Sequence, residues 1–374
     1  MPRLRERVVP LLIALCTAGL SGCGDGSAPA TGTLSNPAAL TADVNALGTP
    51  FNAPVVQSFA AVALTANGTP AARAVSFMRA LSPSRTLAAD LGTQKEQALA
   101  VKALRPNFAT TLLPQSAWGK TYVWSMGQQK YVEGAGDAPA NGVRFVLYAV
   151  DPFTGKPASP LNEVGYADLI DASTPSVAGL RVLLVGTASG NVTYADYTIT
   201  ATGSSTSFAT QAAGYVTNGT HRLDFTNQIN ASTSQVSLDY QLALDEDAVT
   251  ARLQAALTAG NPTSTLTSTL RVTRGSEVVE MNGTVTVTAG SNTASVAVNV
   301  TVKVNGATFA TITGTAQGGS NGSLTSTGPG RDLTQEEETA VHALLDTPTV
   351  LSTFLDQLLN PAAQLLDSNV SMGV

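Results

Sequence analysis

Charge is scarce in this sequence. Of 374 residues only 12% are Asp, Glu, Lys or Arg, 43% are hydrophobic, and the formal net charge is −6. A soluble domain ordinarily carries about twice that charged fraction, so uncharged polar groups must solvate the surface. The 20 Lys and Arg are spread along the chain and supply no basic patch able to gather phosphates, which argues against a nucleic-acid binder. Aromatics are also few, with 10 Phe, 8 Tyr and 2 Trp, too thin a supply for the two girdles of a lipid-facing outer-membrane barrel. The 2 His and 2 Cys leave little for metal or thiol chemistry, and neither HExxH nor a His/Cys metal spacing occurs. No metal site and no cofactor is expected.

What the chain has in abundance is Thr: 48 residues, 30 of them at or beyond position 201. The branched Cβ of Thr restricts χ1 and suits a pleated, half-buried surface better than a helix. Composition therefore favours β structure, and the apolar fraction is ample for a core.

The N-terminus carries an address. Arg3, Arg5 and Arg7 precede an apolar stretch from Val8 to Leu20, too short to span a bilayer and of the length of a signal-peptide core. It ends in Leu20-Ser21-Gly22-Cys23, which resembles the lipobox of bacterial lipoproteins. The resemblance implies that residues 1–22 are removed and that Cys23 is lipidated as the first mature residue. Gly24 follows, not the Asp that marks inner-membrane retention in that class, so the implied address is the cell envelope at the outer membrane. Cys16 would leave with the signal, and loss of three Arg and one Glu would give a mature net charge of −8 with no thiol free.

After Cys23 comes a Gly/Ala/Ser/Pro-rich stretch to residue 37, read as a tether reaching at most about 50 Å. Residues 38–110 read as intermittent helix, with apolar side chains at helical spacing in Phe51–Val62 and Ala74–Leu81 and a further candidate over Thr93–Leu104. From Trp118 to about residue 320 the period changes to two. Val236, Leu238, Tyr240, Leu242 and Leu244 alternate with polar residues, as do Leu266, Leu270 and Val272, and Val279, Met281, Val285 and Val287. Val296, Val298, Val300, Val302 and Val304 form a five-step apolar face, closed by the hairpin signal Asn305-Gly306. Asn282-Gly283 falls inside an unbroken alternation and reads as a bulge or an in-strand glycine. Asp245-Glu246-Asp247 before Val249, Leu253 and Leu257 predicts a short helix, with a continued strand as the competing reading. Residues 332–367 read as C-terminal helices: a capping box at Thr334 and Glu337, restarts at Thr347-Pro348 and Asn360-Pro361, and a broad stripe through Leu351, Phe354, Leu355 and Leu358.

The expected architecture is α+β and mainly antiparallel β. It is a large meandering curved sheet, half-barrel or sandwich of roughly ten to twelve strands, with helices at both ends.

Catalytic signals are weak. Gly318-Gly319-Ser320-Asn321-Gly322 spells G-x-S-x-G, with Asp332 and His342 downstream. A nucleophile elbow, however, needs a strand-to-helix turn in a parallel α/β sheet, and this loop follows a Thr-rich hairpin. His221 and His342 read as structural or surface residues, Asp245–Asp247 lack EF-hand spacing, and Trp118, Tyr122, Trp124 and Tyr131 read as first-strand core rather than a ligand platform. The chain is expected to be non-enzymatic.

The order of helices, strand block, short helix, strand block and covering helices loosely resembles envelope lipid-binding half-barrel lipoproteins, in which a curved antiparallel sheet holds acyl chains under helical lids. That resemblance implies a lipid or other hydrophobic small molecule as partner, besides the membrane held through Cys23. The ligand-facing candidates are Val296, Val298, Val300 and Val302 on the sheet with Leu351, Phe354, Leu355 and Leu358 on the helix. A structural or adhesin-like surface module is the alternative, and a hydrolase using Ser320 a distant third.

Overall fold

A computed structural model of the protein describes residues 32–65, 113 and 115–370, apart from 152, 189, 205–206, 233, 247, 259–262, 290–293, 318–322 and 329. Cys23, the helices read at 74–81 and 93–104, and Ser320 with its glycines lie outside the described residues.

Described helix is confined to a few elements: α1 (Pro37–Ala46), a 3₁₀ turn at Thr49–Asn52, α2 (Pro54–Thr65), a short 3₁₀ turn at Gln115–Ala117, and α3 (Gln335–Val370). Between them run fifteen strands. The first eight are β1 (Lys120–Ser125), β2 (Lys130–Gly134), β3 (Gly142–Tyr148), β4 (Glu163–Asp171), β5 (Ala178–Gly186), β6 (Val192–Gly203), β7 (Ser207–Thr217) and β8 (Arg222–Ser232). The rest are β9 (Gln235–Leu244), β10 (Val249–Thr258), β11 (Thr263–Arg274), β12 (Glu277–Ala289), β13 (Ala294–Val304), β14 (Ala307–Gln317) and β15 (Ser323–Thr327). They form one open sheet in chain order from β15 back to β3, followed by β1 and then β2 at the edge. The strand count exceeds the ten to twelve expected, and one neighbour pair departs from the antiparallel rule: β1 runs parallel to β3 while its hairpin partner β2 lies outside it.

The largest local correction is β10. The helix expected after the acidic trio is a strand, because Asp245 and Glu246 both take positive φ, 49° and 55°, and fold the chain back as a hairpin. Val249, Leu253 and Leu257 are then alternate inward positions together with Ala251 and Ala255, paired on both sides in unbroken register. Asn282-Gly283 is an in-strand pair and not a bulge: Gly283 faces Ser268 on one side and Val300 on the other. Asn305 and Gly306 have φ of 49° and 83°, the signature their two-residue turn requires.

The chain divides into two compact units, each described by itself. Among the described residues, unit one holds 32–47 and 230–349, and unit two holds 48–65, 113–229 and 350–370.

In unit one the described residues begin inside the stretch read as tether. Gly32 N–H donates to Thr308 O at 2.9 Å, Leu34 is buried, and Ser35 N–H donates to Glu277 Oε1 at 2.8 Å. Asn36 then caps α1, its side chain accepting from Ala39 N–H at 3.0 Å with Pro37 in the first helical position. Leu40, Val44 and Leu47 are buried, and Asp43 ties α1 to the end of β11 through Arg274 at 2.6 Å. The capping box at α3 forms as read. Thr334 N–H donates to Glu337 Oε2 at 2.8 Å and Glu337 N–H to Thr334 Oγ1 at 3.3 Å. Arg331 adds a two-point pair to the same carboxylate, which holds Glu337 below the ordinary carboxylate range. Helix α3 runs without interruption through Pro348 and Pro361, where restarts were expected, although each proline deletes one backbone donor from the ladder.

In unit two the core is aromatic where the sheet begins. Phe145, fully buried, stacks on Tyr122 at 5.1 Å and meets Tyr131 edge-on at 5.4 Å, while Trp124 meets Tyr131 at 5.5 Å. Tyr122, Trp124 and Tyr131 are thus packing residues, while Trp118 is half-buried ahead of β1. The opposite face carries Arg144, which grips buried Asp168 at 2.7 and 2.8 Å and lies over Tyr166 at 3.7 Å. Tyr197, also fully buried, donates to Leu358 O of α3 at 2.6 Å, and burial pushes its phenol pKa well up.

Candidate functional site

The strand registers of unit one convert separate apolar alternations into rows that cross six strands. Tyr240, Leu253, Leu270, Met281, Val302 and Ala310 form one row from β9 to β14, every member buried. This is closed core, and Val302 at its centre is 0% exposed. Two residues further along the strands lies the row Leu238, Ala255, Ser268, Gly283, Val300 and Ile312, in which Ser268 and Gly283 are half-buried and Val300 is 7% exposed.

The next row is different. Val236, Leu257, Leu266, Val285, Val298 and Gly314 stand side by side on the same face, and all six are only half-buried. At about 4.8 Å per strand the row is about 24 Å long, the scale of an extended long acyl chain. In the row behind it two small residues, Ser268 and Gly283, are paired. A Cβ at Gly283 would stand 2.8 Å from Ser268 Oγ and 3.6 Å from Val300 Cγ2, so the space beside the glycine is already taken up by the Ser268 hydroxyl. The opposite face is wet and polar: Thr267, Thr284, Asn299 and Thr313 are exposed in register.

The ligand-facing candidates therefore separate. Val298 lies in the half-covered row, Val300 is buried in the row behind it, and Val302 is in closed core; the side chain of Val296 is outside the described residues. Leu351, Phe354 and Leu358 belong to unit two. Leu351 and Leu358 are buried, Phe354 is half-buried and stacks on Phe51 at 4.6 Å, and the side chain of Leu355 is not among those described. Sequence reasoning missed Val236, Leu257, Leu266 and Val285 as members of one strip with Val298. Three of them had been seen as strand alternation, but the registers that align them are a property of the paired strands.

Unit two holds a crevice lined by Ser58, Trp124, Tyr131, Tyr148 and Pro157. Its volume is about 10 Å³, room for about one water and no more. Ser58 Oγ–H donates to Tyr148 O and Tyr131 O–H to Val146 O, so its walls are already tied.

Acid–base and metal chemistry find no constellation among the described residues. No group of three metal-ligating side chains occurs there. His221 is exposed in the β7–β8 turn, His342 is half-buried on α3, and Asp332 is exposed before it. No described helix is long and apolar enough to cross a membrane. Comparison of the chain with protein-family models, curated proteins and solved structures finds no match.

Proposed function

We propose that this chain is a non-enzymatic lipoprotein of the cell envelope, anchored through acylated Cys23 to the outer membrane, that binds a lipid or other hydrophobic molecule along the half-covered strip of β9–β14. The observation that carries the ligand reading is the row Val236–Leu257–Leu266–Val285–Val298, apolar and partly exposed on the same face as the fully buried row through Val302. Covering such a strip with an acyl chain gains roughly 25 cal/mol for each Å² removed from water. Half-buried Ser268, in the row behind the strip, offers one hydroxyl to orient a polar headgroup. Sheet curvature around the ligand, as in a half-barrel, belongs to the same proposal.

The exposed Thr267, Thr284, Asn299 and Thr313 ladder supports the second reading, an adhesin-like module that meets partners with its polar face. One titration separates the two. Binding of a fluorescent fatty acid is expected to weaken roughly tenfold, about 1.4 kcal/mol, in Val298→Trp, which fills the strip. Asn299→Trp, on the opposite face, is expected to leave it unchanged. Equal affinity in the wild type and Val298→Trp would remove the ligand reading.

A further inference from the structure

We infer that the loop tip made by the β1–β2 turn and the β3–β4 loop is a reversible contact with a lipid surface carrying anionic headgroups. Because β1 and β3 are parallel, the loops that follow them leave the sheet at the same end. They are joined there by Lys156, whose Nζ donates to Gln129 Oε1 at 3.3 Å. The large hydrophobic residues that are exposed among those described all sit in these two loops: Phe153 at 96%, Met126 at 39% and Leu161 at 36%.

The exposure of Phe153 is held in place by the backbone. Asp151 Oδ1 accepts from Phe153 N–H at 2.8 Å and Thr154 N–H at 3.1 Å, and Asp151 O accepts from Gly155 N–H at 2.9 Å. Asp151 N–H closes the loop onto Lys156 O at 2.9 Å. The ring is thus presented outward by a structured turn. An apolar ring held in water gains nothing there.

Charge selects the partner. Within 126–130 and 151–161 the ionisable side chains are Lys130, Lys156 and Asp151, a net of +1 on a chain whose total is −6. Both lysines are exposed, whereas Asp151 is half-buried with Oδ1 turned onto the backbone; Glu163 is exposed at the base of the loop. Three apolar side chains on a convex tip fall far short of the roughly 1,200 Å² of a stable protein interface. Insertion at the headgroup boundary needs no complementary shape, only apolar tips with flanking cations. The contact stands on these loops alone and is independent of Cys23.

The test uses the mature chain, residues 23–374, as Cys23→Ala, so that neither acyl anchor nor signal segment contributes, floated with vesicles of phosphatidylethanolamine containing a minority of phosphatidylglycerol. The Cys23→Ala protein is expected to float with the vesicles, and to do so less at high salt. Adding Phe153→Asp is expected to lower the vesicle-bound fraction about tenfold or more, and Lys156→Glu to lower it as well. Phe153 is surface-exposed, so its variant should keep the wild-type circular dichroism spectrum. Failure of Cys23→Ala to bind, or equal binding by Phe153→Asp, would overturn the inference. So would self-association that Phe153→Asp abolishes in the absence of vesicle binding, which would assign the tip to a protein contact.

Discussion

Cys23→Ala is expected to move the protein from the membrane fraction to the soluble fraction after a salt wash. Anchoring by acyl chains amounts to about 0.8 kcal/mol for each buried CH₂, so two or more chains hold a protein against any wash and their loss is all-or-none. No described helix is long and apolar enough to span a bilayer in their place. The loop tip at Phe153 is a weak contact by comparison, and salt screens its two lysines. The position of Gly32 adds a geometric consequence. Gly32 is pinned to Thr308 and lies nine residues after Cys23, so an acylated Cys23 would keep that edge of unit one within about 30 Å of the bilayer. The mass of the mature N-terminus and fractionation of Cys23→Ala check the anchor together. A Cys23→Ala variant that has lost residues 1–22 and still stays in the washed membrane fraction would refute it.

Phe145→Ala is expected to be the most damaging of single core truncations in unit two. The ring is 0% exposed and touches two other aromatic rings, one stacked and one edge-on. Removing a buried Phe costs about 3–5 kcal/mol, made of lost transfer energy and the cavity left behind. Contacts of this aromatic kind add about 0.5–1.5 kcal/mol beyond area. Thermal or urea unfolding followed by near-ultraviolet circular dichroism reads the loss, since Tyr122, Trp124 and Tyr131 lie in the same cluster. Asn299→Ala, on an exposed outward position of β13, is expected to stay within about 0.5 kcal/mol of the wild type. A Phe145→Ala protein as stable as Asn299→Ala would mean that the aromatic cluster is not core.

The period-two alternation from Lys120 onward was legible because the two faces differ so sharply, Val and Leu on one, Thr, Ser and Asn on the other. Direction was not legible. Alternation reports which face a side chain takes, not whether its neighbour runs with or against it, and so the parallel β1–β3 pair could not be read. β10 failed for a different reason: Val249, Leu253 and Leu257 recur every four residues, a spacing that a helix and every second inward strand position share. Ala251 and Ala255 between them decide for the strand, but Ala is too common in helices to carry that weight alone. The start of α1 had a signal in Asn36-Pro37, cap followed by first-turn proline, within a stretch whose small residues suggested a tether.

The site was half legible. Val298 was singled out from its own strand, yet its companions Val236, Leu257, Leu266 and Val285 become one strip only through five successive registers. The partial exposure that distinguishes this row from the one at Val302 is a property of the packed unit, which no local pattern encodes. The helical candidates fall in the other compact unit, where Leu351 and Leu358 are packed inside and Phe354 is paired with Phe51.

Whether the apolar strip of β9–β14 holds a hydrophobic molecule is read out by native mass spectrometry of the Cys23→Ala protein purified without detergent, followed by lipid extraction. A bound hydrophobic species is expected with the wild-type strip and is expected to be lost in Val285→Asp, where a carboxylate would lie at the middle of the row. Protein that emerges free of any such species, and that also takes up no fluorescent fatty acid, would contradict the ligand reading.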